Sequence, residues 1–149
     1  MQLSTKARYA TRAMIELALK FGTNPLQLKE IARRQDISEK YLEQVLLPLR
    51  TRGFIYTLKG SKGGYCLAVT PQEVTLYDII QTVEGSIAPV HCVENKEICA
   101  RIDKCAMRNY WSRLKDKITE ELQKTTLADL AQEQKEKEGE AGEKLDYQI

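Results

Sequence analysis

Residues 28–70 read LKEIARRQDISEKYLEQVLLPLRTRGFIYTLKGSKGGYCLAVT, and three local patterns follow one another within them. Leu28, Ile31 and Ala32 mark the apolar side of a short helix, and Gln35-Asp36-Ile37 reads as a tight turn. Ser38 is suited to cap a second helix by accepting from a free N–H of its first turn. Leu42, Val45, Leu46 and Leu49 then recur at helical spacing, which buries one side of that helix. The other side carries Lys40, Tyr41, Glu43 and Gln44, all able to hydrogen-bond. Gly53 ends the helix, as glycine does just past a C-terminus. Residues 54–58 and 65–69 are rich in β-branched and aromatic side chains and read as strands. Between them Lys59-Gly60-Ser61-Lys62-Gly63-Gly64 forms a hairpin tip, its glycines free to take positive φ.

Helix, turn, helix and basic hairpin describe a winged helix-turn-helix. The expected fold is mainly α with a small β-hairpin, and the expected partner is double-stranded DNA. The second helix suits the major groove, where Ser38, Lys40, Tyr41, Glu43 and Gln44 meet the duplex. Lys59, Gly60 and Lys62 at the tip suit phosphates or the minor groove. Glu43 is the sharpest candidate for base reading, because a carboxylate accepts from cytosine N4. The competing readings are a scaffolding role for the unit and a salt bridge between Glu43 and a nearby lysine. Pro48 cannot donate to the Gln44 carbonyl, so a kink or an early end is expected there. That would confine the reading face to residues 38–44.

Charge supports this assignment. Residues 1–71 hold 12 Lys and Arg against 5 Asp and Glu, whereas residues 132–149 hold 6 acids against 3 lysines. The net charge of +2 hides that asymmetry, and the basic part coincides with the proposed reading head. A chain of 149 residues with 42% hydrophobic content suits one globular domain with an appendage. No apolar run approaches the roughly 20 residues that span a bilayer. Met1-Gln2-Leu3-Ser4-Thr5-Lys6 enters an amphipathic helix without a signal-peptide pattern, so the expected compartment is the cytoplasm.

In chain order, the first helix is expected over about 4–21, with Ala7, Ala10, Met14, Leu17 and Phe21 as its buried stripe. Gly22-Thr23-Asn24-Pro25 stops it, and Arg8 or Arg12 could add a phosphate contact. Thr75 reads as the cap of a helix over 76–84, with Leu76, Ile79, Ile80 and Val83 facing inward and Gly85 ending it. These elements make residues 1–84 a winged helix-turn-helix domain. Residues 85–105 form a cysteine loop. Residues 106–131 hold a long helix and a short one after it, and 132–149 a charged tail with little to bury, expected to be mobile or peripheral. Along the long helix Met107, Trp111, Leu114, Ile118 and Leu122 are spaced by 4, 3, 4 and 4. That seam is read as a dimerisation helix, since a two-fold dimer presents two reading heads to a palindromic operator.

Cys66 sits alone in a wing strand and reads as a small core residue. Cys92, Cys99 and Cys105 share one loop that opens a helix. Thiolates gathered in this way repel unless a cation holds them, which points to metal or iron–sulfur ligation. Zinc with His91 as a fourth ligand is possible on paper, although His91 and Cys92 are adjacent. Spacing alone leaves iron–sulfur cluster, zinc, thiol switch and no function open. Enzymatic chemistry is not expected: no Cys-x2-Cys exists, His91 is the single histidine, and no glycine-rich phosphate cradle opens a helix.

The stretches LSTKARYA (3–10), ISEKYLEQ (37–44) and KGSKGGY (59–65), with the three-cysteine loop before Trp111, resemble the Rrf-two family of bacterial winged-helix regulators. The resemblance spans about residues 1–131. It implies a homodimeric DNA-binding transcriptional regulator, a repressor, with Glu43 and Gln44 reading bases and Lys59 and Gly60 at the minor groove. With three cysteines it also implies an iron–sulfur cluster on Cys92, Cys99 and Cys105, two-iron in preference to four-iron, that senses redox, cluster status or nitric oxide. Some members take a fourth ligand from a histidine three residues after the last cysteine, and others from an aspartate on the partner's first helix. Here those places hold Arg108 and Arg8. The fourth ligand is therefore open among His91, Glu94, Glu97, a first-helix residue of the partner and a small molecule. A cluster-free branch of the family, tied to cysteine metabolism and controlled by a protein partner, is the alternative.

Overall fold

A computed structural model describes residues 2–146. Ser4 caps α1 (Thr5–Leu19) by accepting from the Ala7 amide at 3.1 Å. The face of α1 that carries Ala7, Ala10, Ala13, Met14 and Leu17 is buried. Phe21 departs from the expected stripe: the helix ends at Leu19, two residues earlier, and Phe21 lies 45% exposed beyond it.

α2 (Leu28–Gln35) ends in Asp36, held at φ 53°. Aspartate tolerates this left-handed conformation better than most side chains. The turn closes with the Ile37 amide donating to the Ala32 carbonyl at 3.1 Å. Ser38 then caps α3 (Glu39–Arg52) by accepting from the Tyr41 amide at 3.1 Å, and Gly53 at φ 88° ends it. Leu42, Val45, Leu46 and Leu49 are fully buried, as their spacing requires. Pro48 does not stop the helix. It removes one backbone bond, but Val45, Leu46 and Leu49 on either side of it are anchored in the core.

The wing is an antiparallel pair, β1 (Ile55–Leu58) and β2 (Gly64–Leu67), with Ile55 opposite Leu67 and Tyr56 opposite Cys66. β1 starts one residue later than expected, and β2 starts one residue earlier and ends two earlier. Cys66 is half-buried, not a core residue, because Tyr65 and Leu67 on either side take the inward positions.

α4 (Leu76–Glu84) begins at Thr75, which shares a reciprocal cap with Asp78, and packs against α1, α3 and α5. Residues 86–105 fold as three single 3-10 turns with connectors. α5 (Ala106–Lys124) follows, with none of its residues fully buried. The largest departure comes last. The helix expected to be short is α6 (Leu127–Asp146), which continues through most of the charged segment. Thr126 and Asp129 cap each other's amides, Leu127 and Ala131 are buried, and α6 packs along α1. Farther out, Gln132 donates to Glu136 and Gln134 to Glu138, each at 3.1 Å. Glu, Lys, Gln and Ala are strong helix formers, so a docked first turn is propagated with few apolar contacts. Among the described residues no helix is long and apolar enough to cross a membrane.

Candidate functional site

The buried side of α3 fixes what its other side offers. With Leu42, Val45, Leu46 and Leu49 inward, Lys40, Glu43, Gln44, Leu47 and Arg50 remain exposed. Lys40, Glu43, Gln44 and Arg50 converge with Tyr65 of β2 around an open groove of about 380 Å3. Burial first, and the negative Glu43 beside it second, hold the Tyr65 hydroxyl above its usual pKa, with Arg50 opposing. Tyr65 therefore joins the wing to the reading helix. Among the described residues no ion pair involves Lys40, Glu43, Arg50, Lys59 or Lys62, so these charges face outward uncommitted. The alternative of a Glu43–lysine bridge is not realised.

Ser38 spends its hydroxyl on the cap, at the exposed start of α3. Tyr41 is half-buried and meets the Tyr9 ring edge-on at 6.0 Å, while the Arg12 guanidinium lies 5.7 Å from the Tyr9 centroid. Lys59, Gly60 and Lys62 are exposed at the wing tip. Arg50 lies outside the face expected from the sequence, because the proline at 48 predicts that the face ends before it. The signal was present: residues 40, 44, 47 and 50 keep helical spacing beyond the proline.

The cysteine loop presents no preformed ligand set. Cys92, Cys99 and Cys105 are free and half-buried, and among the described residues no three His, Cys, Asp or Glu side chains meet closely enough to hold a metal ion. His91 is exposed. Glu94 is committed to Lys115 at 3.7 Å, and Arg108 donates from Nε to the Cys92 carbonyl at 3.1 Å. Arg8 reaches Thr5 of its own helix at 3.4 Å. A guanidinium is permanently protonated and cannot ligate iron. As folded, the chain offers no ligand at either of the two places where the resemblance puts a fourth one, Arg108 and Arg8.

On α5, Trp111, Leu114, Ile118 and Leu122 are half-buried and Met107 is 51% exposed. Ile118 and Leu122 border an apolar groove of about 370 Å3 with Leu3, Ile87 and Pro89.

A capped helix in a helix-turn-helix, a lysine-tipped wing beside it and polar groups lining the groove between them define a winged-helix DNA-binding protein. A family profile described as "Iron-dependent Transcriptional regulator", Rrf2, matches residues 3–133. The chain belongs to the Rrf2 (Rrf-two) family of transcriptional regulators, and its relatives are regulators, not enzymes. It is 44% identical over 131 residues to the HTH-type transcriptional regulator CymR of Bacillus subtilis, covering 88% of this chain and 90% of that protein. It is 36% identical over 130 residues to the regulator IscR of Pectobacterium atrosepticum, covering 87% and 79%. The solved structure titled "The Structure of CymR (YrzC) the Global Cysteine Regulator of B. subtilis" superposes with a TM-score of 0.75 at 43% identity, covering 89% of this chain and 97% of that one.

Proposed function

We propose that the chain acts in the cytoplasm as a homodimeric repressor that grips a palindromic operator with two α3 helices and two wings. The observation that carries this is the groove between α3 and β2, where Lys40, Glu43, Gln44 and Arg50 stand uncommitted beside Tyr65. Glu43 and Gln44 read base edges in the major groove. Lys59, Gly60 and Lys62 meet the backbone and minor groove, and Lys40 and Arg50 meet phosphates at the groove's margin. The apolar seam of α5 with its neighbouring groove supports the dimer, since a two-fold axis pairs the same surface on both copies. The test is binding to duplexes selected from a random pool. Lys59→Ala weakens all of them together, whereas Glu43→Ala relaxes preference at one base position. A common factor for both variants would overturn the division between positioning and reading.

Control without a cluster, by a protein partner that engages the cysteine loop or α5, is the reading the loop supports best, because Arg108 and Arg8 stand at the two places where the family resemblance puts a fourth ligand. The likeness to a structure titled as a global cysteine regulator supports cysteine metabolism as the setting of this reading. The second reading, iron–sulfur sensing through Cys92, Cys99 and Cys105, is favoured by three half-buried thiols in one loop and by the likeness to IscR. Protein purified without oxygen separates the two. A colourless, iron-free dimer that binds DNA supports the first. A brown protein with stoichiometric iron and sulfide, lost in Cys99→Ala, supports the second and refutes the first.

A further inference from the structure

The wing tip is joined to the helix-turn-helix by a contact that neither the reading helix nor the hairpin itself supplies. Leu26, in the linker before α2, pairs with Tyr65 of β2: its amide donates to the Tyr65 carbonyl at 3.0 Å, and the Tyr65 amide donates back at 2.8 Å. The linker thus adds a one-residue third strand to the wing. Gly64, at φ 148°, lets the two backbones approach, since a Cβ there would lie 2.6 Å from the Leu26 carbonyl oxygen. The next residue, Gln27, is exposed and serves as the backbone N-cap of α2 without a capping side-chain bond. Its side chain points elsewhere. Nε2 donates to the main-chain carbonyl of Ser61 at 3.2 Å, in the middle of the tip that carries Lys59 and Lys62.

We infer that Gln27 is a positioning residue for DNA binding: it fixes the height of the wing tip above α2, and so which phosphates Lys59 and Lys62 reach. The inference rests on the DNA-binding reading and adds a residue to it that touches no base. A two-stranded hairpin is flexible at its tip, and besides the turn's own bond from the Gly63 amide to the Gly60 carbonyl, residues 59–63 are tied to the helix-turn-helix by the Gln27 bond. One bond from a rigid helix start removes much of that freedom before DNA arrives, and a pre-positioned contact binds more tightly than one ordered on binding. The acceptor is a backbone atom, so the identity of residue 61 is immaterial and the identity of residue 27 is not.

The experiment uses the full chain and duplexes selected by the wild type from a random pool, with affinity measured across a range of salt concentrations. Gln27→Met keeps length and removes the donor. It is expected to weaken binding about 2- to 10-fold, the range for one hydrogen bond. It also makes the salt dependence shallower by about one phosphate contact, roughly 0.9 in the log–log slope. Preference at the bases read by α3 and the melting temperature stay unchanged, which separates positioning from a general structural role. Ser61→Ala leaves all four readouts at wild-type values. If Gln27→Met lowers the melting temperature, Gln27→Asn, one methylene too short to reach, makes the same test. Wild-type slope and affinity in the Gln27 variants, or a loss with an unchanged slope, overturn the inference while leaving DNA binding intact. A wild-type chain that selects no duplex overturns the DNA-binding reading itself.

Discussion

Replacing Arg108 with alanine tests what orders the cysteine loop. Arg108 sits in the first turn of α5, half-buried, and its Nε lies 3.1 Å from the Cys92 carbonyl, sixteen residues back along the chain. Close to that carbonyl, the amides of Glu94 and Asn95 both donate to the His91 carbonyl, at 3.1 and 3.0 Å. Hydrogen bonds from charged groups contribute about 1.5–3 kcal/mol. The Lys115–Glu94 pair at 3.7 Å is about a third exposed on both sides and adds little. If the Arg108 bond holds the segment closed, its loss raises the open population by about 10- to 150-fold. Hydrogen exchange read by mass spectrometry should show that acceleration in a peptide covering 90–98. Alanine is a good helix former, so peptides from the middle of α5 should exchange as in the wild type. Unchanged exchange at 94 and 95, or equal acceleration along all of α5, would refute the idea that this arginine organises the loop.

Two further outcomes are expected. Ile118→Glu puts a carboxylate in the middle of the α5 seam and should raise the dimer dissociation constant on the order of 100-fold or more in sedimentation velocity, while the helical signal of each copy is kept. Glu30 is held at a pKa of about 2, against 4.5 ordinarily, by hydrogen bonds from Arg33 and then Arg34. A depressed carboxylate pKa means that its stabilisation is present above about pH 4.5 and is lost as pH falls toward 2. Glu30→Gln should therefore melt slightly lower than wild type at neutral pH and equally below pH 2, the difference shrinking in salt.

Where local pattern and tertiary burial agree, the structure was legible in residue order. The four apolar positions of α3, its serine cap and its terminal glycine recur as observed. So does α4, whose start and end are marked by Thr75 and Gly85. Failures came where burial overrides a local signal or lacks one. A proline in the third turn of α3 breaks one bond, but three buried neighbours outweigh that loss, and with the helix goes Arg50. Phe21 keeps helical spacing but has no helix left to carry it inward. α6 carries few apolar residues beyond Leu127 and Ala131, so its length comes from capping, helix-forming side chains and i, i+4 pairs, which composition alone reads as an unanchored tail. The pairing of Leu26 with Tyr65 and of Gln27 with Ser61 joins residues more than thirty positions apart, beyond the reach of any local pattern.

The cysteine loop illustrates a different limit. Three thiols within fourteen residues argue for a shared cation only if nothing else closes the loop. Arg108 is itself a cation, fixed on the first turn of α5 and bonded to the backbone of the first cysteine. Unlike a histidine at that place, it cannot lose its proton to accept a metal. If the Arg108 bond is what closes the loop, its closure does not depend on a bound metal. Under the cluster-free reading proposed above, a signal would reach the reading helix by contact, through something that grips the loop or α5 and shifts α4, the helix packed against both α5 and α3. The exchange experiment at residues 94 and 95 and the iron analysis of oxygen-free protein therefore belong together: a loop that stays protected in iron-free protein, and opens when Arg108 is removed, supports the cluster-free reading.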